Sequence, residues 1–354
     1  EVGGSWQNSD ETVRQAKRAV IEAGAVLDAS AGDVGDGGEI VVWSDISNPG
    51  SFTRVSGSLF AKGGLEGGNG GQIETSGFDL NVAGINVDAT ANRLNQSGLW
   101  LLDPFDYVID STKAANIASA LSNGTNVRIS TASASSSAGG TSIPSEDSDT
   151  HGGRITVNNN IVISGSGTTG DLALVADSDI QINATLQNLR GDGDLTLHSK
   201  TGVTMGSSGV IDWDPGSSGF VELIASDSGG ISGSGRINAR GKLKVNTAAL
   251  VPQFYTGEIQ VLGGAIFEKR GTGGFRINPS AETTNQFGNI ELYEGILALA
   301  NDNALGSSYS GTIDFKGGGF RQGRSSSADY SPRFSDASDQ QYKIYVNSGS
   351  NIVY

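Results

Sequence analysis

A chain of 354 residues with no cysteine, two histidines and a formal net charge of -15 excludes several kinds of chemistry at once. Disulfides, thiolate metal sites and cysteine nucleophiles are ruled out, and His151 and His198 stand without a metal-ligand spacing such as H-E-x-x-H. Lys and Arg are few and unclustered, so a nucleic-acid partner is not expected, and no stretch reaches the ~18 to 20 apolar residues that span a bilayer. Glycine supplies 53 of the 354 residues, about twice the usual share, and sits at punctuation points between short Val, Ile and Leu alternations, as in a turn-rich all-β chain.

A motif of glycine pair, alternation, glycine, second alternation and then Asp or Asn with Ala keeps restarting. It reads GGEIVVWSD from Gly37, GGQIETSGFDLNVAGINVDATA from Gly70, GGRITVNNNIVISG from Gly152, GDLALVADSDIQINATL from Gly170, GDGDLTLHSKTGVTM from Gly191 and GGISGSGRINARGKLKVN from Gly229. A unit of roughly 20 to 25 residues cannot bury its own apolar face, so its copies must stack into a shared core. That is a solenoid.

In chain order, SDETVRQAKRAVIEAG fits a helical face through Val13, Ala16, Val20 and Ala23, but AVIEAGAVLDASAG repeats the later strand signature and places strands from about Ala19. From 37 to 91 the inward candidates at period two are Ile40, Val42, Val55, Leu59, Ile73, Leu80, Val82, Ile85 and Val87. Asp103-Pro104 marks an exit from the regular coil, because proline cannot donate to a central ladder. DSTKAANIASALSNG then reads as one short helix with Ser111 as cap, Ala114, Ile117, Ala118 and Leu121 on one face and Gly124 as stop. STASASSSAGGTSIPSEDSDTHGG has almost nothing to bury and is a long surface loop.

Rungs resume at Arg154 and run through Val157, Ile161, Ile163, Leu172, Leu174, Ile180, Ile182, Leu195, Leu197, Val210, Ile211, Val221, Leu223, Ile231, Ile237, Leu243 and Val245. Beyond Pro252 the unit changes style, and QQYKIYVNSGSNIVY reads as a closing strand pair. Neither end carries a polar cap, and exposed coil edges invite pairing, so a segment of a longer exoprotein is expected.

The run GGSWQNSDETVRQA, GDGGEIVVWSD, SGSLFAKGGLEGGNGGQIETSGFDLNVAGINVDATA and GLWLLDPFDYVID resembles the large exoproteins of the filamentous haemagglutinin and HMW-adhesin kind, exported by two-partner secretion in Gram-negative bacteria. From about Gly257, LYEGILALANDNALGSSYSGTIDFKGGGF is similar to autotransporter-associated β-strand repeats. The resemblance implies a right-handed parallel β-helix and passage through an outer-membrane secretion partner. It also implies extracellular display at the outer-membrane surface, where the chain would meet a host or bacterial receptor or glycan.

Some residues carry a candidate role beside an ordinary one. Arg190-Gly191-Asp192 spells a tripeptide that some members of the resembled family use to engage integrins, and it is equally the turn of a rung. Asn95, Asn123 and Asn183 head Asn-x-Ser/Thr sequons, which members of the HMW group glycosylate and which arise by chance in an Asn- and Ser-rich chain. No cofactor is called for. Calcium is the one ion that the acidic turns around Asp33 and Asp36, and around Glu146, Asp147 and Asp149, could take.

Asn158-Asn159-Asn160 offers a stacked amide ladder. Trp6, Trp43, Trp100 and Trp213 read as packing residues before they read as a sugar platform. Aspartates appear singly at rung corners with no basic cluster beside them, which argues against a glycan lyase or hydrolase.

The expectation is an all-β, right-handed parallel β-helix (β-solenoid) with one short inserted helix and a long loop. It forms one rod-like segment, 1–354, read as rungs 1–103, helix and loop 104–153, rungs 154–256 and repeat-like rungs 257–354. At ~22 residues per turn it would make about 16 turns on the order of 75 Å long. The expected role is an adhesin or extracellular matrix scaffold and not an enzyme; the alternatives are the stalk of a contact-dependent toxin exoprotein and a self-associating filament.

Overall fold

Alternation sends every second side chain of a strand to one side, and parallel stacking then sets that side chain against its counterpart one turn later. The computed structural model describes all residues except 11, 93–94, 132–152, 228, 250–253, 263, 281–284, 307–308, 326 and 346–354. The long loop, the Glu146–Asp149 acids and most of the closing strand pair lie outside the described residues. Two units are described in turn, one of Glu1–Ser178 with Asp192–Asp194 and one of Asp179–Gly191 with Leu195–Tyr354.

In the first unit the chain visits three faces in rotation. Face A holds Glu39–Trp43, Gln72–Gly77, Leu99–Pro104, Asn126–Ser130 and Leu172–Ala176. Face B holds Arg18–Ile21, Phe52–Val55 and Asp79–Asn81, then Tyr107–Ile109 with Ile155–Val157, and face C holds Val26–Asp28, Ser58–Phe60 and Asn86–Asp88. The pairings within each face are parallel. Register on face A lines up Ile40, Ile73, Trp100, Val127 and Leu172 in one inward column, and all are buried. Each such full burial contributes about 1.5–3 kcal/mol relative to exposure.

The second unit repeats the scheme. Face A holds Leu195–Ser199, Phe220–Ala225, Lys242–Thr247, Ile266–Arg270, Asn289–Leu292 and Ile313–Phe315. Face C runs Thr185–Asn188, Val210–Trp213, Arg236–Ala239 and Glu258–Val261, after which the described residues contribute a bridge between Gln260 and Gln286. Among the described residues no named strand extends this face beyond Val261. The fold is an all-parallel β-solenoid.

Several expectations need correction. The pairings make about 10 turns, not 16, because partners such as Ile40 and Ile73, or Val127 and Leu172, lie further apart in sequence than the assumed repeat. Pro104 does not leave the coil. It ends strand Leu99–Pro104 opposite Gly77, and Tyr107–Ile109 follows at once on face B.

The helix α1, Ser111–Asn123, is capped by Asp110 rather than Ser111, whose carboxylate accepts from the N–H of Thr112 and Lys113, both at 2.9 Å. It ends as expected at Gly124, left-handed at φ 98°. It packs Ala114, Ile117, Ala120 and Leu121 inward and contacts Asn86–Asp88 and Ile161–Val162, so it fills a place on face C where a strand would stand. Val210 points outward, and the inward positions of that turn belong to Val203, Met205 and Ile211.

Corner residues explain the recurring Asp and Asn. The carboxylate of Asp36 accepts from the N–H of Asn69 at 2.7 Å, and the side-chain Oδ1 of Asn69 accepts from the N–H of Gln96 at 3.0 Å. The same relay runs from Asn126 to Asp171 and from Asp171 to Asp194, each at 2.8 Å. These oxygens satisfy N–H groups that the strands leave unpaired at the bends. The described ladder thus lies here, while Asn158 and Asn160 are exposed.

Glycine has a stacking role at the same corners. A Cβ on Gly71 would sit 2.1 Å from the carbonyl oxygen of Gly38 in the neighbouring turn, whereas one on Gly67 would meet nothing within 4 Å. Gly71→Ala is therefore expected to destabilise the first unit by about 1–3 kcal/mol, and Gly67→Ala to be close to neutral, as read by denaturant unfolding of the two variants side by side.

Candidate functional site

The outward side of face A in the first unit departs from a solvated sheet. Register places Val41, Glu74, Leu101 and Arg128 in one outward row, with Trp43, Ser76 and Asp103 in the next. Val41, Trp43, Glu74, Ser76, Leu101 and Asp103 are all buried. The opening segment is part of their cover. The Val2 N–H donates to the Val41 carbonyl at 2.7 Å, the Trp43 N–H donates to the Val2 carbonyl at 2.9 Å, and Trp6 packs on Val41, Trp43 and Ile46. A short 3-10 turn, Trp6–Asn8, then brings the Gln7 N–H to Glu74 Oε2 at 2.7 Å, with Gln7 and Asn8 both at positive φ, 46° and 50°.

Glu74 is fully buried, and its Oε1 accepts from Ser76 Oγ at 2.8 Å. Burial pushes its carboxyl up to about 7; the two hydrogen bonds oppose that rise, and the charge of Glu39 adds to it. Asp103 stands on the adjacent strand, opposite Ser76, and its Oδ1 is buried with no hydrogen-bond partner. Burial first, and the charge of Glu74 second, hold its carboxyl well above the usual range, against the pull of Arg128.

Two carboxyls thus lie buried on neighbouring strands, and charge on Glu74 disfavours charge on Asp103. They also correct the reading of aspartates as single corner residues without a basic neighbour. Neither carboxyl is open to solvent.

A second buried charge sits in the other unit. On its face A the inward column through Leu197, Leu223 and Val245 continues to Lys269, then to Leu292 and Phe315. Lys269 is fully buried, and its ammonium donates to the carbonyl of Arg270 and, at 2.9 Å, to that of Gly271. Burial lowers its pKa to about 7, with the charge of Glu294 opposing. On the outward side of the same strands Glu268 is covered by Lys242 at 3.0 Å and Arg270 at 2.7 Å, and Arg270 lies over the ring of Tyr293 at 4.1 Å.

The candidate residues from the sequence are scattered. In the Arg190-Gly191-Asp192 turn, the Arg190 N–H donates to Asn188 Oδ1 at 3.1 Å and Gly191 is exposed at φ 81°. Asp192 Oδ2 accepts from the Thr169 N–H at 2.8 Å, so this carboxylate has a structural bond that a receptor would have to share or displace. Asn123 and Asn183 are exposed and Asn95 is half-buried. The hydroxyl of the Asn123 sequon, on Thr125, is buried and accepts from the Ala89 N–H at 2.9 Å.

Asp36 is engaged with the Asn69 N–H, and no group of three or more His, Cys, Asp or Glu among the described residues could hold a metal ion. Trp43, Trp100 and Trp213 have no exposed surface, which leaves Trp6 as the half-buried tryptophan and favours packing over a sugar platform.

Each unit also carries a groove of about 460 Å³. One is lined by residues such as Asp28, Asp33, Lys62, Leu65 and Asn92, and the other by Ser207, Ser234, Arg236, Thr256 and Glu258. No described helix is long and apolar enough to cross a membrane. Comparison of the chain with protein-family models and with curated proteins finds no match.

Sequence reasoning missed Glu74, Asp103 and Lys269 as a class. A signal existed for the first two: EIVVW and LWLLDP are nearly continuous apolar runs, the pattern of strands covered on both faces. For Lys269 none did, since FEKR gives no sign of which charge turns inward.

Lysine at 269 makes the second unit pH dependent with a definite sign. Its folded pKa, about 7, lies below its ordinary 10.5, so the folded state binds fewer protons, and the cost is full below 7 and relieved as pH rises toward 10.5. Lys269→Met is expected to raise the melting temperature more at pH 6 than at pH 9, measured by circular dichroism on both proteins at both pH values.

Proposed function

We propose that this chain is a segment of a secreted or surface-displayed bacterial adhesin or extracellular matrix scaffold, of the filamentous haemagglutinin and HMW-adhesin kind. The observation that supports it most is the parallel coil itself: each turn adds the same outward ribbon of side chains, so surface grows with every repeat while the interior stays apolar. The motifs quoted from GGSWQNSDETVRQA to GLWLLDPFDYVID supply the family. Absence of cysteine suits a chain that crosses an outer membrane unfolded and folds by stacking alone.

Large apolar side chains left in water on the first unit, Val26 at 61%, Val34 at 73% and Leu65 at 80% exposure, are contact points for a surface partner. Val34 bridges toward Gly67 and Leu65 lines the groove beside Asp33 and Lys62. On this reading a host or bacterial receptor or glycan meets the sides of the coil, and an outer-membrane secretion partner exports it.

Beads coated with the purified chain are expected to adhere to epithelial cells, or to cells of the producing kind of bacterium, several-fold above albumin-coated beads. Equal adherence of both beads to all these surfaces rejects the adhesin reading. If the Arg190-Gly191-Asp192 turn contributes, Arg190→Ala lowers adherence to the epithelial cells and a free peptide with the same tripeptide competes with it; unchanged adherence in both measurements removes the turn from the binding surface.

A further inference from the structure

We propose that the opening segment around Trp6–Asn8 is a proton-controlled latch on the outside of the first unit, closed over Glu74 in acid and released from it as pH rises. The segment leaves face A at Val2, crosses the outward rows of that sheet and rejoins face B at Arg18. Its hold on the sheet is concentrated in few bonds. Among the described residues the Gln7 N–H reaches Glu74, Trp43 Nε1 donates to Gln15 Oε1 at 3.2 Å and Trp6 adds apolar contact, while the Ala16 N–H, donating to the Gly3 carbonyl at 2.7 Å, ties the two ends of the segment to each other.

Two features set it apart from the coil beneath. Gln7 and Asn8 adopt left-handed backbone angles that non-glycine residues rarely take. And the contact at its centre ends on a fully buried carboxyl beside a second one, Asp103, whose Oδ1 has no partner. A closed segment thus keeps Glu74 from water, while an open one lets the carboxylate be hydrated.

The charged groups bearing on the pair are Glu39, which disfavours charge on Glu74, and Arg128, which favours charge on Asp103. From the covering segment Glu74 meets the Gln7 N–H, and Asp10 is exposed and bound to Thr12. The Glu74 carboxyl stands near 7 when covered against an ordinary 4.5. The closed form therefore binds the extra proton, its advantage is complete below 4.5, and it is lost as pH climbs through 7.

Amide hydrogen exchange between pH 5.5 and 8.5, expressed as protection factors so that the intrinsic pH dependence cancels, tests the latch. Gln7 is expected to lose protection with a slope approaching tenfold per pH unit between pH 5.5 and about 7 and to level off above it, while Val127, whose N–H bonds to the Asp171 carbonyl inside the coil, keeps its protection. Glu74→Gln retains an acceptor without a charge and is expected to flatten the slope. Should that variant not fold, trypsin cleavage of the wild-type chain after Arg14 gives the same information, rising with pH once corrected for the enzyme's own profile. The proposal is overturned if Gln7 protection in the wild type does not change with pH, if Glu74→Gln keeps the slope, or if Val127 loses protection in step with Gln7.

Discussion

Hydrogen bonding between a residue and its counterpart one turn later is the constraint on which everything else in this molecule rests. In a parallel coil the ladder is never local, so each N–H and carbonyl finds its partner on the next circuit of the chain. The strands do this automatically. At the bends the backbone turns out of register, and a side-chain oxygen has to stand in, which is what Asp36, Asn69, Asn126 and Asp171 do for the N–H groups of Asn69, Gln96, Asp171 and Asp194. The same closeness of turns forbids a Cβ at Gly71, where the neighbouring carbonyl is already in contact distance. Part of the composition follows from this, since Asp36, Asn69, Asn126, Asp171 and Gly71 all serve corners.

A coil of this kind tolerates additions at bends and not within columns. Helix α1 enters where the chain passes from face B to face C, and it can do so because its ends are closed by their own groups, Asp110 at one and Gly124 at the other. Its apolar side then packs on the strands above and below as a strand would. A change inside a column has no such outlet. Lys269 in the line of Leu197, Leu223, Val245, Leu292 and Phe315 must carry its ammonium to the carbonyls of Arg270 and Gly271 at the corner, the nearest polar atoms its stem can reach.

The sequence was legible where a rule acts once per turn. Period-two positions such as Ile73, Val87, Leu223 and Leu243 fall on the inward side, because any one of them repeats a pattern that its neighbours confirm. The helix was legible from its face and its glycine stop, while its cap was misplaced by one residue because Asp110 and Ser111 are both good caps and only the backbone distinguishes them. Val210 and Ile211 could not both point inward, and Ile211 won since its strand pairs in register with Leu186 and Ile237. Turn number failed for a different reason: corners in the first unit hold more residues than those in the second, and corner length leaves no periodic trace.

The outer layer was signalled in the sequence only by the near-continuous apolar runs EIVVW and LWLLDP. Glu74 and Asp103 sit at outward positions, where the alternation rule assigns water, yet both are buried, and Glu74 is met there by the Gln7 N–H from a segment distant in sequence. Once covered, each group is driven toward its neutral form, and the two units face opposite ways in pH. Below about 7 the lysine of the second unit carries its charge in an apolar column; above about 7 the glutamate of the first carries a charge that its covered position disfavours. Acid therefore weighs on the second unit through Lys269, and base on the first through Glu74.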